Sequence, residues 1–142
     1  MVQNPPAHYS RVMPYLFYED VGSALEWLTN VFGFSETFRM PASDGSVMHA
    51  ELSSDGATFM IGDPGPEYRN PKRLGAPTQC VYVFVDDVDK HFEHARHAGA
   101  KILSEPTDQF YGDRTYMTED LEGHQWSFAQ HVQDVAREDM HP

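Results

Sequence analysis

The sequence predicts an α+β fold made of two consecutive βαβββ modules. Three observations carry that prediction: a duplication at a fixed offset, one amphipathic helix in each half, and short apolar runs set around each helix. A shift of 67 residues places Asp20 on Asp87, Val21 on Val88, Gly45 on Gly112 and Gly56 on Gly123, while Gly33 falls one place out of step with Gly99. The matching residues are mainly those that start helices and turn the chain.

In each half an aspartate stands where a side-chain oxygen can cap the free amides of a helix, and a glycine follows where a left-handed residue can end it. Between these signals Val21, Ala24, Leu25, Leu28, Val31 and Phe32 recur at helical spacing, as do Val88, Phe92 and Ala95 in the second half. A β-forming apolar run precedes each helix, at residues 12–18 and 80–85. Three short runs follow each: about 34–40, 47–52 and 57–61 in the first half, and about 101–105, 114–118 and 125–129 in the second. Module 1 therefore spans about residues 10–62 and module 2 about 78–132 of a single domain. Residues 63–77, rich in Pro and Gly, form a linker long enough to permit exchange of modules between two chains. The tail, 133–142, has little apolar content and reads as a short helix or frayed end.

Composition narrows the function classes. With 40% hydrophobic and 13% aromatic residues in 142, the chain can bury a core without staples. Its formal charge of −12 argues against nucleic acid and anionic membranes as partners and is compatible with a cationic small molecule. Cys80 is the only cysteine, so no intramolecular disulfide forms. A reducing compartment is expected, and without an export signal or a membrane-length apolar stretch near the start, a cytoplasmic location. No nucleophile motif, phosphate-cradling glycine loop or HExxH sequence is present, so catalytic residues are not assigned.

Three segments, YLFYEDVGSALEWLTNVFGF, VYVFVDDVDKHFEHARHAGA and TEDLEGHQWSFAQHV, resemble in order and spacing the vicinal oxygen chelate superfamily, which includes glyoxalase I, extradiol dioxygenases and bleomycin-binding proteins. The likeness covers roughly residues 10–132. It implies an incompletely closed, eight-stranded mixed sheet around a cleft, with helices outside, and commonly a homodimer. In metal-dependent members the ligand positions lie on the first and last strands of each module, and these fall on Met13, Met60, Cys80 and Ser127. Hard divalent ions want carboxylate and imidazole, so this set does not make a Mn, Ni or Zn enzyme site, and no cofactor is expected.

The alternative is a displaced divalent-metal or acid–base site using His49 and Glu51, two residues apart and hence on one strand face. His124 is expected to hydrogen-bond its turn, and His91, His94 and His97 to lie on a solvated helix face. Small apolar packing is the expectation for Cys80. If Met13 and Cys80 face the cleft, alternation sends Tyr15, Phe17, Tyr82 and Phe84 the same way, while Trp126 and Phe128 point to the core. Arg114, with Asp113, is placed beside the opening, either to gate or orient a ligand or to form a surface ion pair.

The leading expectation is therefore metal-independent sequestration of a small aromatic or cationic organic compound, similar to the bleomycin-resistance branch. The competitors are a lyase, isomerase or dioxygenase with a displaced metal, and a duplicated scaffold that binds a protein.

Overall fold

The duplicated punctuation does what its chemistry requires. Asp20 and Asp87 adopt extended backbone and accept from the amides of Ser23 and Lys90, opening helices at Val21 and Val88. Gly33, at φ 81°, ends the first helix, and Gly99, at φ 101°, follows the second. In the computed structural model, which describes residues 2–142, the first module runs β1 (Tyr15–Phe17), α1 (Val21–Phe32), β2 (Ser35–Pro41), β3 (Val47–Ser54) and β4 (Ala57–Gly62). The linker adds a short helix, α2 (Pro71–Leu74), capped by Asn70. The second module follows as β5 (Cys80–Phe84), α3 (Val88–His97), β6 (Lys101–Asp108), β7 (Asp113–Glu119) and β8 (Gln125–His131). The tail carries only a 3-10 turn, Arg137–Asp139.

Each module closes its own four-stranded mixed sheet, in the orders β1-β4-β3-β2 and β5-β8-β7-β6. The first strand pairs parallel with the last and the remaining pairs are antiparallel. This is the α+β fold of two βαβββ modules. Among the described residues no strand pairing joins the two sheets, and no barrel closes. What joins them is a shared core between their helix-bearing faces. Phe32, at the end of α1, meets Trp126 and Phe128 of β8 with ring centroids 5.5 and 4.8 Å away. Phe34 and Phe59 of module 1 also pack on Trp126. Trp126, Phe128, Tyr18 and Tyr116 are fully buried, as expected of rings that fill a core at close-packed density.

Polar groups fasten the same seam. The Asp120 carboxylate, in the turn before β8, accepts from Tyr18 Oη at 2.5 Å, from Trp126 Nε1 at 3.0 Å, and from the amides of Glu122 and His124. Glu122 accepts from the amides of Glu19 and Asp20 and from Asn70 Nδ2. The acidic turn of module 2 thus holds the β1–α1 corner of module 1 and the linker together. Burial and the adjacent Asp120 push the Tyr18 phenol well above its ordinary pKa.

Two histidine expectations change here. His91 is partly buried rather than solvated, while His94 stays exposed; their Nε2 atoms reach the carbonyls of Phe32 and Asn30 at 2.7 and 2.8 Å, satisfying groups that the C-terminus of α1 leaves open. His91 Nδ1 also meets Tyr116 Oη at 2.6 Å, and burial lowers its pKa. His97 does lie exposed, bonded to its own helix at Glu93 O. His124 spans farther than its turn. It is buried against Tyr18, and its Nε2 meets the Phe17 carbonyl of the other module at 2.8 Å.

Two candidate ligand-binding faces

Register decides which side chains share the face of each sheet away from its helix. In module 1, Tyr15 pairs with Met60 and Met60 with Glu51, while Phe17 pairs with Gly62 and Gly62 with His49. Phe38 and Met40 lie opposite Glu51 and His49 on β2. The strand alternation that buries Leu16, Ala50, Leu52 and Ile61 under α1 therefore gathers Tyr15, Phe17, Phe38, Met40, His49, Glu51, Met60 and Gly62 on the opposite, open face.

In module 2 the same logic gathers Cys80, Tyr82, Phe84, Met117 and Ser127, because Tyr82 pairs with Ser127 and Ser127 with Met117. Tyr15 and Phe17 are 49% and 43% exposed, Tyr82 and Phe84 43% and 60%. These rings are not core. Within each module the pair meets edge to face, at 5.5 Å for Tyr15–Phe17 and 5.4 Å for Tyr82–Phe84. No ring contact between the two pairs occurs among the described residues.

Each open face also carries a phenol tied to a histidine and a carboxylate. On module 1, Tyr15 Oη lies 2.9 Å from His49 Nδ1, His49 Nε2 lies 3.4 Å from Glu51, and Glu51 accepts from Tyr9 Oη at 2.5 Å. Gly62 makes the first contact possible: a Cβ there would stand 2.5 Å from Tyr15 Oη. On module 2, Tyr82 donates to Asp113 at 2.6 Å, and Asp113 meets His131 Nδ1 at 2.8 Å. Asp134 and Asp113 together raise the His131 pKa, while burial and the bond to Asp113 raise that of Tyr82.

The remaining sequence-predicted positions divide. Met13 lies before β1, which starts at Tyr15, so Met60 stands across from Tyr15 rather than from Met13. Ser127 likewise stands across from Tyr82 rather than Cys80. The Cys80 side is exposed at the strand edge, not packed in a core, and burial still raises its thiol pKa. Arg114 is separated from the rest. It pairs with Gln130 on the helix side of the sheet, and its guanidinium binds Asp108 at 2.6 Å and Asp89 of α3 at 3.1 Å. Sequence reasoning missed Tyr9, whose link to Glu51 spans 42 positions, and His131 as the partner of Asp113. The available signal was parity: His49 and Glu51 share their face with Tyr15 once the β1–β4–β3 register is known.

Grooves border both ring pairs. One of ≈ 240 Å³ is lined by Tyr15, Phe17, Tyr68 and His124 among others, and one of ≈ 350 Å³ by Tyr82, Phe84, Pro14, Phe59 and Trp126. Tyr68, whose hydroxyl donates to the Phe17 carbonyl, has its pKa pushed to about 12 by burial and by the carboxylates nearby. A divalent ion takes three or four side-chain donors. Among the described residues no group of three or more His, Cys, Asp or Glu side chains is placed to hold one, and His49 with Glu51 supplies only two.

Comparison with known proteins agrees with this architecture. The model of the Glyoxalase/Bleomycin resistance protein/Dioxygenase superfamily matches residues 7–128. The chain belongs to that superfamily. It is similar to TioX from Micromonospora sp. ML1, with 38% identity over 87% of this chain and 99% of that one, at a TM-score of 0.72. An uncharacterized protein of Mycobacterium bovis is 33% identical over 132 residues, covering 89% of this chain and 87% of its own length. TnmS3, an antibiotic binding protein from Streptomyces sp. CB03234, shares the fold at a TM-score of 0.68 with 18% identity, over 87% of this chain and 97% of its own. No helix among the described residues is long and apolar enough to cross a membrane.

Proposed function

We propose that this member of the superfamily binds and sequesters a small aromatic or cationic organic compound without a metal and without transforming it. The observation that carries the reading is the exposure of Tyr15, Phe17, Tyr82 and Phe84 on sheet faces that a soluble chain would otherwise bury. Flat rings, soft methionine sulfur and carboxylates held ready as acceptors suit stacking on a planar ligand that carries donors or positive charge. The net charge of −12 favours the approach of such a cation. The antibiotic-binding neighbour supports the same direction through its fold.

Within one chain no ring of the Tyr15–Phe17 pair touches a ring of the Tyr82–Phe84 pair. Pairing with a second copy, with modules exchanged or side by side, therefore brings a module 1 face opposite a module 2 face and encloses the ligand. Light scattering is expected to give a dimer mass. The test of sequestration is recovery of the ligand. A bound compound released by denaturation with its mass unchanged supports binding without turnover, and conversion to a new mass refutes it.

The adjacency of His49 and Glu51 favours one second reading, a metal-dependent lyase, isomerase or dioxygenase. Calorimetric titration of stripped protein with Mn, Ni, Zn and Fe(II) separates the two. One tight ion per chain, lost in His49→Ala and Glu51→Ala, would establish the metalloenzyme; weak binding unaffected by either substitution is the result expected here.

A further inference from the structure

The chain before β1 lies across the open face of module 1 rather than on its helix side. Tyr9 donates to Glu51 at 2.5 Å, Thr58 donates to the His8 carbonyl at 3.4 Å, and the Pro14 carbonyl accepts from the Met60 amide at 2.9 Å. Glu51, Thr58 and Met60 all belong to that face by register. The consequence is a contrast in burial. Neighbouring Phe38 and Tyr15 stay nearly half exposed, whereas Glu51 is only 7% exposed. Its carboxylate meets a phenol and an imidazole, and among the described residues no lysine or arginine pairs with it.

A carboxylate withdrawn from water and partnered chiefly by a neutral phenol keeps most of its capacity to attract a cation. We propose that residues 2–13 form a strap latched by Tyr9 on Glu51, and that the positive group of a flat aromatic ligand opens the strap by taking the same carboxylate. The ring of such a ligand would stack beside Tyr15 and Phe17 while its charge replaces the phenol at Glu51. Tyr9 is then a specificity determinant: it admits ligands whose cation outcompetes a phenol and screens the face from uncharged ones. The inference rests on the aromatic-binding reading for its ligand but not for its latch.

The two parts can be read separately. Trypsin cleavage after Arg11, an exposed residue of the strap, reports latching without any ligand, through the mass of the 12–142 product. Tyr9→Phe should speed this cleavage on the order of 5-fold for the loss of one hydrogen bond, and Glu51→Gln, whose amide oxygen still accepts from Tyr9 without charge assistance, should speed it by less. Binding is read by fluorescence with proflavine, a flat aromatic cation, and with the similarly flat but uncharged acridone. Proflavine should bind several-fold tighter to Tyr9→Phe, where the competitor is gone, and several-fold weaker to Glu51→Gln, where the charge is gone. Acridone should not lose affinity in Glu51→Gln. Cleavage unchanged in both folded variants overturns the latch. Proflavine affinity moving the same way in both overturns the competition. Faster cleavage with neither probe binding would leave the latch in place and overturn both the competition and the aromatic-binding reading.

Discussion

Replacing Asp120 with Asn changes one atom in the hub that sets the two modules against each other. Asp120 is buried, with one oxygen accepting from the Glu122 and His124 amides and the other from Tyr18 Oη and Trp126 Nε1. An asparagine can keep its oxygen on the two amides, but it then turns an NH2 group toward Tyr18 and Trp126. The Tyr18 hydroxyl can rotate to accept; the indole N–H only donates and is left unpaired. An unsatisfied buried donor costs about 1–3 kcal/mol, and loss of charge assistance on the other bonds adds roughly 1 kcal/mol. The expected total is about 2–4 kcal/mol, or on the order of 10 °C in midpoint for a domain of this size. Tyr18→Phe is the control. It removes one donor and leaves the carboxylate three others, so about 1 kcal/mol is expected. Urea unfolding followed by tryptophan fluorescence and circular dichroism measures both. An Asp120→Asn cost below about 1 kcal/mol, or no greater than that of Tyr18→Phe, would refute the hub.

Two further outcomes follow from particular contacts. Gly62→Ala should displace the half-exposed Tyr15 ring and break its bond to His49, weakening proflavine binding several-fold at little stability cost, read by titration and urea midpoint. His91 has a lowered pKa in the folded chain through burial, so the unfolded chain binds its proton more readily. Its stabilising contribution is complete above about pH 6.5 and is lost as pH falls through the folded value. The raised pKa of exposed His131 works in the opposite sense, with stabilisation present below about pH 6.5 and lost as pH rises through its folded value. His91→Gln should therefore flatten the fall of the urea midpoint between pH 7.5 and 5, and an unchanged slope would contradict the assignment.

Much of the fold was legible because its signals are local. Asp20, Asp87, Gly33 and the apolar stripe of α1 act within one or two turns of their own positions, and β alternation placed Trp126 inside and Tyr82 outside without any knowledge of neighbours. The arrangement between modules was not legible. It depends on Phe32 reaching Trp126 and on Asp120 reaching Tyr18 across 102 positions, contacts with no local periodicity. The candidate site divides in the same way. Tyr15, Phe17, Tyr82 and Phe84 follow from strand parity, whereas Met13 falls outside β1, which starts three residues later than the β-forming run at 12–18. Arg114 followed the helix-side parity of β7 and found Asp89 and Asp108 there. His91 reads as a surface residue until the carbonyl end of α1 arrives beside it.

The central claim is that the two open faces are binding surfaces. Methionine methyl NMR tests it directly, because Met40, Met60 and Met117 lie on those faces while Met140 lies in the tail. Titration with proflavine should shift the methyl signals of Met40, Met60 and Met117 saturably and leave Met140 in place. No saturable shift of the three, or a shift confined to Met140, would contradict the account.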